Sequence, residues 1–456
     1  MAEGLLRIIV LYSVMGLLIL AVGAFQSWTV ALAIFNLALI SAVMALGVNI
    51  QWGYAGLLNI GIMGFAALGG VAAVLVSMPP VEGAWAAGGI NLGLAALAVL
   101  GTAGLALFVR GRLGRAVRTP ATLLVILAGY MTMRLFLDPA SNAIEAVNPA
   151  AEGYLGGLGL PILLAWAAGG LFAAGAAYLV GKLTLGLRSD YLAIATLGIS
   201  EIILAVLKNE NWLTRGVKNV TGIPRPVPGE RELQGTAWIS DIGGLLGFGP
   251  VTSAAIANRL GYALLFLAVL GLILWLAERA LNSPWGRMMR AIRDNRDAAA
   301  AMGKDVTGRH LQVFVLGSAV VGIAGARLVT LDGQFTPASY IPLRYTFLIW
   351  VMVIVGGSGN NWGAVLGGFV IWYTWIMAEP AGTWLMQIAA AELDPAGWLR
   401  GHLLASAPHL RPFLMGVILL LCLRFAPRGL IPERRVRSAP RPAAEPEPVP
   451  APLSER

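Results

Sequence analysis

Long apolar runs separated by short polar connections make up most of the 456-residue chain. A run of about 16 to 22 apolar residues is long enough for a helix to cross about 30 Å of hydrocarbon. Up to twelve such runs lie approximately at 5–25, 29–50, 57–78, 92–109, 121–137, 160–181, 191–207, 261–281, 311–330, 344–357, 363–378 and 413–426. The pattern predicts an all-α fold, a polytopic transmembrane helical bundle of about 10–12 spans, in which the shortest runs are candidates for re-entrant segments.

The composition also indicates a membrane protein, because 58% of the residues are hydrophobic and only 12% are charged. A soluble chain of this size needs more charge to cover its surface. The net charge of +9 does not indicate nucleic-acid binding, since the basic residues are spread over short loops rather than over one compact face. The single cysteine, Cys422, excludes an intrachain disulfide.

The charges of the connections predict the orientation of the chain, because Lys and Arg in short loops stay on the cytoplasmic side. Basic residues mark three loops and the end of the chain: Arg110, Arg112, Arg115 and Arg118; Lys182 and Arg188; the stretch 283–310; and Arg424, Arg428, Arg434, Arg435 and Arg437. The connection 138–159 has three acidic residues and no Lys or Arg, as an outer loop should. Twelve spans then place both termini in the cytoplasm.

These signs divide the chain into a membrane domain at 1–432 and a cytoplasmic tail at 433–456, which six prolines between 440 and 452 predict to be disordered. The outer loops are expected at 138–159, 208–260 and 379–412. The first residues resemble a signal peptide, with Arg7 before an apolar core. An uncleaved first span is favoured, because the apolar run from Ile8 to Phe25 is long for a signal core and another span follows at once.

The stretch 283–310 is a polar island between two apolar runs. Its arginines recur at every third residue: Arg287, Arg290, Arg293 and Arg296. Good helix formers between Asp297 and Met302 predict a short surface helix that Gly303 ends. Consecutive alanines leave a smooth surface that a partner could approach closely, and the arginines suit an acidic groove. A solvated basic loop that only follows the charge rule is the alternative.

Glycine-rich membrane segments form a second group of candidates. The range 49–70 combines glycines with Gln51, Tyr54 and Asn59, which predicts a broken or tightly packed helix. Irregular backbone at membrane depth tends to line a substrate path in transporters, and close packing through small residues is the alternative. Glu201 lies in the middle of another apolar run. A carboxylate there costs about 2.5 kcal/mol or more, so it should face protein or water, in a functional role or in a structural hydrogen bond.

Several of these segments resemble one family, the permeases of branched-chain amino-acid type ABC transporters, in its LivM-like branch. The resemblance lies in "LGVNIQWGYAGLLNIG" at 46–61, "DYLAIATLGISEII" at 190–203, "VGGSGNNWGAVLGG" at 355–368 and "RFAPRGLI" at 424–431. Asp297-Ala298-Ala299 followed by Gly303 is similar to the loop by which ABC importer permeases contact their ATPase, with Asp in place of the usual Glu. Thr214-Arg215-Gly216 departs from the family's Thr-Gly-Gly turn, which weakens any inference about the substrate.

The resemblance implies an inner-membrane permease subunit of a bacterial ABC importer, with alternating access as its mechanism. Its implied partners are two cytoplasmic ABC ATPase subunits, a related second permease subunit, an extracytoplasmic solute-binding protein and membrane lipid, without nucleic acid. The family default substrate is a branched-chain amino acid, and urea, short amides or another small polar solute stay open. The implied ATPase-coupling residues are Arg293, Asp297, Ala298, Ala299, Ala300, Met302 and Gly303. The candidates for the translocation path are Gln51, Tyr54, Asn59, Thr196 and Glu201.

The chain lacks the motifs of an enzyme. It has no Gly-x-x-x-x-Gly-Lys-Ser/Thr phosphate loop, and His310, His402 and His409 have no carboxylate or thiol neighbours at the spacing of metal ligands. We therefore expect no cofactor, no metal and no catalytic residues, with ATP hydrolysis left to partner subunits. A secondary transporter or channel is the rival of another class, but it should carry several charged residues within its spans, and only Glu201 is clear.

Overall fold

The computed structural model describes residues 2–149, 152–391, 393 and 397–433. Except for Glu433, the predicted disordered tail lies outside the described residues. The helices are α1 (Ala2–Phe25), α2 (Trp28–Val48), α3 (Ile62–Ser77), α4 (Glu82–Arg112), α5 (Arg115–Ala146), α6 (Ile162–Thr184), α7 (Ser189–Asn209), α8 (Asn211–Thr214), α9 (Glu230–Gln234), α10 (Ala237–Leu245), α11 (Pro250–Asn282), α12 (Pro284–Asp294), α13 (Arg296–Ala301), α14 (Val306–Asp332), α15 (Pro342–Gly356), α16 (Asn361–Ala389), α17 (Trp398–Ser406) and α18 (Leu410–Phe425).

The predicted all-α, polytopic architecture is confirmed. In the described part of the chain, ten helical segments are long and apolar enough to span a membrane, and α3 and α15 are shorter apolar helices. Together they account for the twelve apolar runs of the sequence. The described strands, β1 (Val220–Thr221) and β2 (Gln334–Phe335), form one antiparallel pair with Val220 opposite Phe335.

The bundle is built around α14 and α2, which are its most deeply buried spans. Helix α14 packs against α2, α3 and α6, and α2 also packs against α11 and α16. The 27 residues of α14 give it a length of about 40 Å, so its two ends lie at opposite faces of the bundle. We call the face that carries α12 and α13 the loop end, and the face that carries Asp332 the opposite end.

Helices α4 and α5 form a hairpin that packs mainly against itself. Their long apolar stretches are almost entirely exposed on the surface of the chain, as expected for helices that face lipid. A Trp85 indole bond to the Leu155 carbonyl, 3.0 Å long, helps to tie the hairpin to the connection that follows it. The hairpin therefore lies at the periphery, and the candidate sites lie in the other spans.

The helices extend further into the predicted outer loops than the sequence indicated. Helix α5 continues to Ala146, α11 already begins at Pro250, and α16 continues past Pro380 to Ala389. Pro380 is tolerated because neighbouring helices can stabilise a proline-containing turn in a membrane span. Glu379 next to it forms an ion pair with Arg411 of α18, which fixes this end of α16.

Glycines allow the central helices to approach each other closely. A Cβ added to Gly325 of α14 would lie 2.0 Å from the Ala66 carbonyl oxygen of α3, and one added to Gly69 would lie 1.9 Å from the Gly322 carbonyl oxygen. Both distances are far below any real Cβ contact, and the obstructing atoms belong to the backbone. The α3–α14 contact therefore requires glycine at these positions.

We expect Gly325→Val to destabilise the fold by about 3 kcal/mol or more, because α3 and α14 would have to separate. The matched control is Gly104→Val on the exposed surface of α4, where an added Cβ meets nothing within 4 Å. Thermal unfolding of the detergent-solubilised protein, followed by size-exclusion chromatography, measures the difference. Equal melting temperatures of the two variants would contradict the close packing.

Candidate functional site

The polar stretch 283–310 forms two helices rather than the one short helix that the arginine spacing predicts. Helices α12 and α13 are separated at Asn295, whose backbone is extended, with φ −153° and ψ 100°. The Asn295 side chain accepts a hydrogen bond from the Ala298 amide at 2.9 Å and so caps α13. Asparagine favours such a cap over a helix interior, which explains why the helix breaks here.

The exposed surface of α13 and its end has small side chains between two large ones, Arg296 and Met302. Ala298, Ala300 and Gly303 are exposed, and Met302 is 79% exposed, whereas Ala299 is only 9% exposed and faces the bundle. The predicted helix end is confirmed: Gly303 has φ +75°, and the Lys304 amide donates to the Ala299 carbonyl at 3.2 Å. Asp297 lies exposed in the first turn.

Arg293 is bonded within the chain. Its Nη2 lies 3.0 Å from Glu433 Oε2, and its Nη1 donates to the Gly53 carbonyl oxygen. The side chain is 23% exposed. Arg293 therefore connects α12 to two distant segments, the turn that follows α2 and the segment that follows α18.

The predicted break in the glycine-rich segment is confirmed. Helix α2 continues into a π-helical turn, Asn49–Tyr54, and non-helical backbone then leads to α3. Gln51 Nε2 donates to the Phe314 carbonyl at 2.9 Å, and Asn59 Nδ2 donates to Gln51 Oε1 at 2.9 Å. Thr196 Oγ1 accepts from the Ile60 amide at 3.1 Å. These bonds attach the broken segment to α14 and α7.

A second set of bonds converges on Asn361, which the sequence analysis did not identify. Asn361 Oδ1 accepts from the Tyr54 hydroxyl at 2.5 Å and from Asn49 Nδ2 at 3.0 Å. Asn361 Nδ2 donates to Glu278 Oε1 at 3.1 Å. Asn49 Oδ1 also accepts from the Gly359 amide at 2.8 Å. This cluster joins the π-helical turn to the last turns of α11 and the first turn of α16.

Four of the five predicted path residues therefore lie together around the break. Gln51, Tyr54, Asn59 and Thr196 are each no more than 1% exposed, and all four are hydrogen-bonded within the chain. Glu201 is not part of this group. It lies on an exposed face of α7, next to Ser200, which turns inward and accepts from the Gly64 amide at 2.8 Å.

Arg327, in the last two turns of α14, is a further charged residue that the sequence analysis missed. It is fully buried, its Nη2 donates to the Phe266 carbonyl at 3.0 Å, and its guanidinium lies 4.5 Å from the centre of the Phe266 ring. Its Nε and Nη1 have no hydrogen-bond partner among the described residues. The signal was visible, since an arginine in an apolar run is a functional candidate by default.

Metal binding has no support in the part of the chain that the structure describes. No group of three or more His, Cys, Asp or Glu side chains there is placed to hold an ion. The interactions of both clusters are hydrogen bonds and charge pairs between helices.

The comparisons with known proteins identify one family. Residues 30–423 match the family described as "Branched-chain amino acid transport system / permease component". The chain is 28% identical to a probable branched-chain amino acid transport permease protein LivM of Methanocaldococcus jannaschii, over 68% of this chain and 78% of that protein.

Two bacterial proteins match a shorter part of the chain. It is 30% identical to the high-affinity branched-chain amino acid transport system permease protein LivM of Escherichia coli, over 50% of this chain and 53% of that protein. The protein of the same description from Salmonella typhimurium is 29% identical over the same shares. No solved structure matches the chain.

Proposed function

This chain belongs to the family of permease components of branched-chain amino acid transport systems, and we propose that it is the inner-membrane permease subunit of an ABC importer. The proposed substrate is a branched-chain amino acid, in keeping with the names of the relatives. The proposed partners are two cytoplasmic ABC ATPase subunits, a related second permease subunit and an extracytoplasmic solute-binding protein.

The loop end faces the cytoplasm of a bacterial cell in this proposal, and the opposite end faces outward. Support comes from the distribution of charge. Helix α4 ends at Arg112, Lys182 lies in the last turn of α6, and the spans alternate in direction, so these basic residues share the end that carries α12 and α13. The same alternation puts both termini in the cytoplasm.

The coupling step follows from the two sides of the α12–α13 segment. Its outer side presents Ala298, Ala300 and Met302, a small-residue surface with one flexible apolar side chain, which suits seating in a groove of the ATPase. Its inner side carries Arg293, which is bonded to the π-helical turn and to Glu433. A rigid displacement of α12 and α13 by the ATPase is thereby passed to the broken helix, and the access of the substrate path switches.

The single observation that carries the proposal is that the α12–α13 segment has two different sides. Helix α13 is exposed and can contact the ATPase, whereas Arg293 is bonded to the bundle. The two alanines in the middle of α13, Ala299 and Ala300, differ in burial. A bulky substitution at Ala299 would disturb packing, because Ala299 is 9% exposed and faces the bundle. Ala300 is exposed and can be changed without that complication.

We expect Ala300→Glu to lower ATP-dependent uptake by the assembled transporter at least tenfold and to leave membrane insertion unchanged. The added side chain would hold α13 away from the ATPase. Ser189→Glu is the matched control, because Ser189 is an exposed residue at the same end of the bundle but on α7. Uptake by proteoliposomes and co-purification of the ATPase are measured. Normal uptake and normal ATPase binding by Ala300→Glu would contradict the docking role.

A further inference from the structure

At the opposite end from α12 and α13, the chain has a partly open cavity of about 290 Å³. It lies between α2, α14 and α15, with one residue each from α3 and α16. Its inner part is lined by apolar side chains that include Met44, Met63, Ile349 and Met352. The volume is at the small end of the range for ligand sites, about 300 Å³, so it suits a solute of few atoms.

A second cavity of about 300 Å³ adjoins the first and shares Leu37 and Asp332 with it. This outer cavity is charged where the inner one is apolar, since its lining includes Arg225, Glu230 and Arg259. The two spaces therefore form one two-part cavity, with charged groups of both signs outside and an apolar floor within. Leu37 and Asp332 mark the junction.

Two groups of opposite charge, Asp332 and Arg225, line the outer cavity. The carboxylate of Asp332, the last residue of α14, makes no hydrogen bond or ion pair with any described residue. The Arg225 guanidinium lies near the residue that follows, because its Nη2 would lie 3.1 Å from a Cβ built on Gly333. Both residues are exposed, so both charges are accessible to a solute in this cavity.

Unpartnered hydroxyls also line the inner cavity. The Tyr340 hydroxyl and Thr336 Oγ1 are buried and have no hydrogen-bond partner among the described residues. Tyr340 as a whole is 5% exposed, and burial raises the pKa of its phenol, which therefore keeps its proton for donation. Because buried polar groups are nearly always paired, two such hydroxyls at one cavity indicate a ligand that supplies the missing partners.

We propose that this two-part cavity binds a zwitterionic α-amino acid with an aliphatic side chain, within this single chain. Asp332 pairs with the ammonium group, Arg225 pairs with the carboxylate, and the side chain lies past Leu37 against Met44 and Met352. The inference rests on the proposed function and adds to it a site and a reason for selectivity. Urea or a short amide would leave the apolar floor empty and would not use both charges.

The first test measures binding of L-leucine to the purified full chain in nanodiscs, which needs neither ATP nor partner subunits. We expect Asp332→Asn and Arg225→Gln each to weaken leucine binding at least tenfold, because each leaves one end of the zwitterion without its charge partner. Asp241→Asn on exposed α10 is the matched control and should bind like the unchanged chain. Equal affinity of all four proteins overturns the site.

The second test uses the size of the side chain, which a purely structural role of the junction would not reveal. Leu37 is only half-buried, so Leu37→Trp can narrow the junction without rebuilding the core. The expected result is a loss of L-leucine binding at least fivefold larger than the loss of L-alanine binding. Equal losses for the two amino acids contradict the placement of the side chain in the inner cavity.

The two proposals fail in different ways. If the assembled transporter takes up leucine with ATP but the Asp332, Arg225 and Leu37 variants bind and transport it normally, the cavity is refuted and the proposed function stands. If the unchanged transporter takes up urea or acetamide and not leucine, the proposed substrate is refuted together with the cavity's ligand class.

Discussion

Arg293→Ala is expected to lower ATP-dependent uptake at least tenfold while the protein still inserts and binds the ATPase. The Arg293 guanidinium donates to the Gly53 carbonyl and to Glu433, which belong to segments far apart in the sequence. Its loss leaves an acceptor and a partly buried carboxylate without their donor, at a cost of about 1–3 kcal/mol. The variant leaves the α13 surface unchanged. It therefore distinguishes the binding of the ATPase, which should persist, from the transmission of ATPase movement to the bundle, which should be lost.

Arg287→Ala is the control for Arg293→Ala, because it removes the same charge from the same helix. Arg287 is exposed, and its Nη1 makes a long hydrogen bond of 3.4 Å to the nearby Asn282 carbonyl. Uptake and ATPase activity are measured in proteoliposomes for both variants. We expect Arg293→Ala to retain ATP hydrolysis with little uptake and Arg287→Ala to retain both. Full uptake by Arg293→Ala would show that α12 transmits movement by another contact.

Glu433→Ala removes part of the contact network that Arg293→Ala removes. It removes one of the two remote partners of Arg293 and leaves the bond to Gly53. We expect an intermediate loss of uptake, and we expect the double variant to resemble Arg293→Ala, because coupled residues are not additive. Additive losses would mean that the two side chains act separately.

The spans of this protein could be predicted from its sequence, and their ends could not. An apolar run of sufficient length has few alternatives to a membrane helix, so twelve runs led to twelve helical segments. Helix ends depend on caps and on polar residues that either continue a helix or stop it. Asn295 ends α12 and caps the start of α13, whereas Pro380, which usually ends a helix, lies inside α16.

The candidate site was predictable in part, for a similar reason. Glycine abundance identified the broken segment, and Gln51, Tyr54, Asn59 and Thr196 do lie together around it. The sequence pattern does not tell a polar side chain that lines an open path from one that is bonded inside the bundle. That distinction depends on remote partners, as in the bond between Asn49 and Asn361. Asp332 was overlooked because it ends an apolar run and has no motif around it.

Asn361→Leu is expected to destabilise the protein by about 3 kcal/mol or more, because it removes three hydrogen bonds at once. Asn361 is fully buried, accepts from Tyr54 and Asn49, and donates to Glu278. Each lost bond costs about 1 kcal/mol, and the bond to the Glu278 carboxylate and the buried Asn49 amide left without its acceptor cost more. Leucine has a similar volume, so packing contributes little to the change. Thermal unfolding of the purified protein measures the loss.

The control is Asn209→Leu, at an exposed position where the side-chain amide donates to the Ala205 carbonyl of its own helix. A swap of the amide and carboxyl groups tests the contact between Asn361 and Glu278 directly. Asn361→Asp keeps the oxygen that accepts from Tyr54 and Asn49 but brings a carboxylate against Glu278 Oε1, whose present distance from Asn361 Nδ2 is 3.1 Å. We expect this variant to be unstable, since two close carboxylates repel each other. Adding Glu278→Gln should restore stability, because the new amide can donate to the new carboxylate. Failure of the second change to rescue the first would mean that Asn361 and Glu278 do not share this bond.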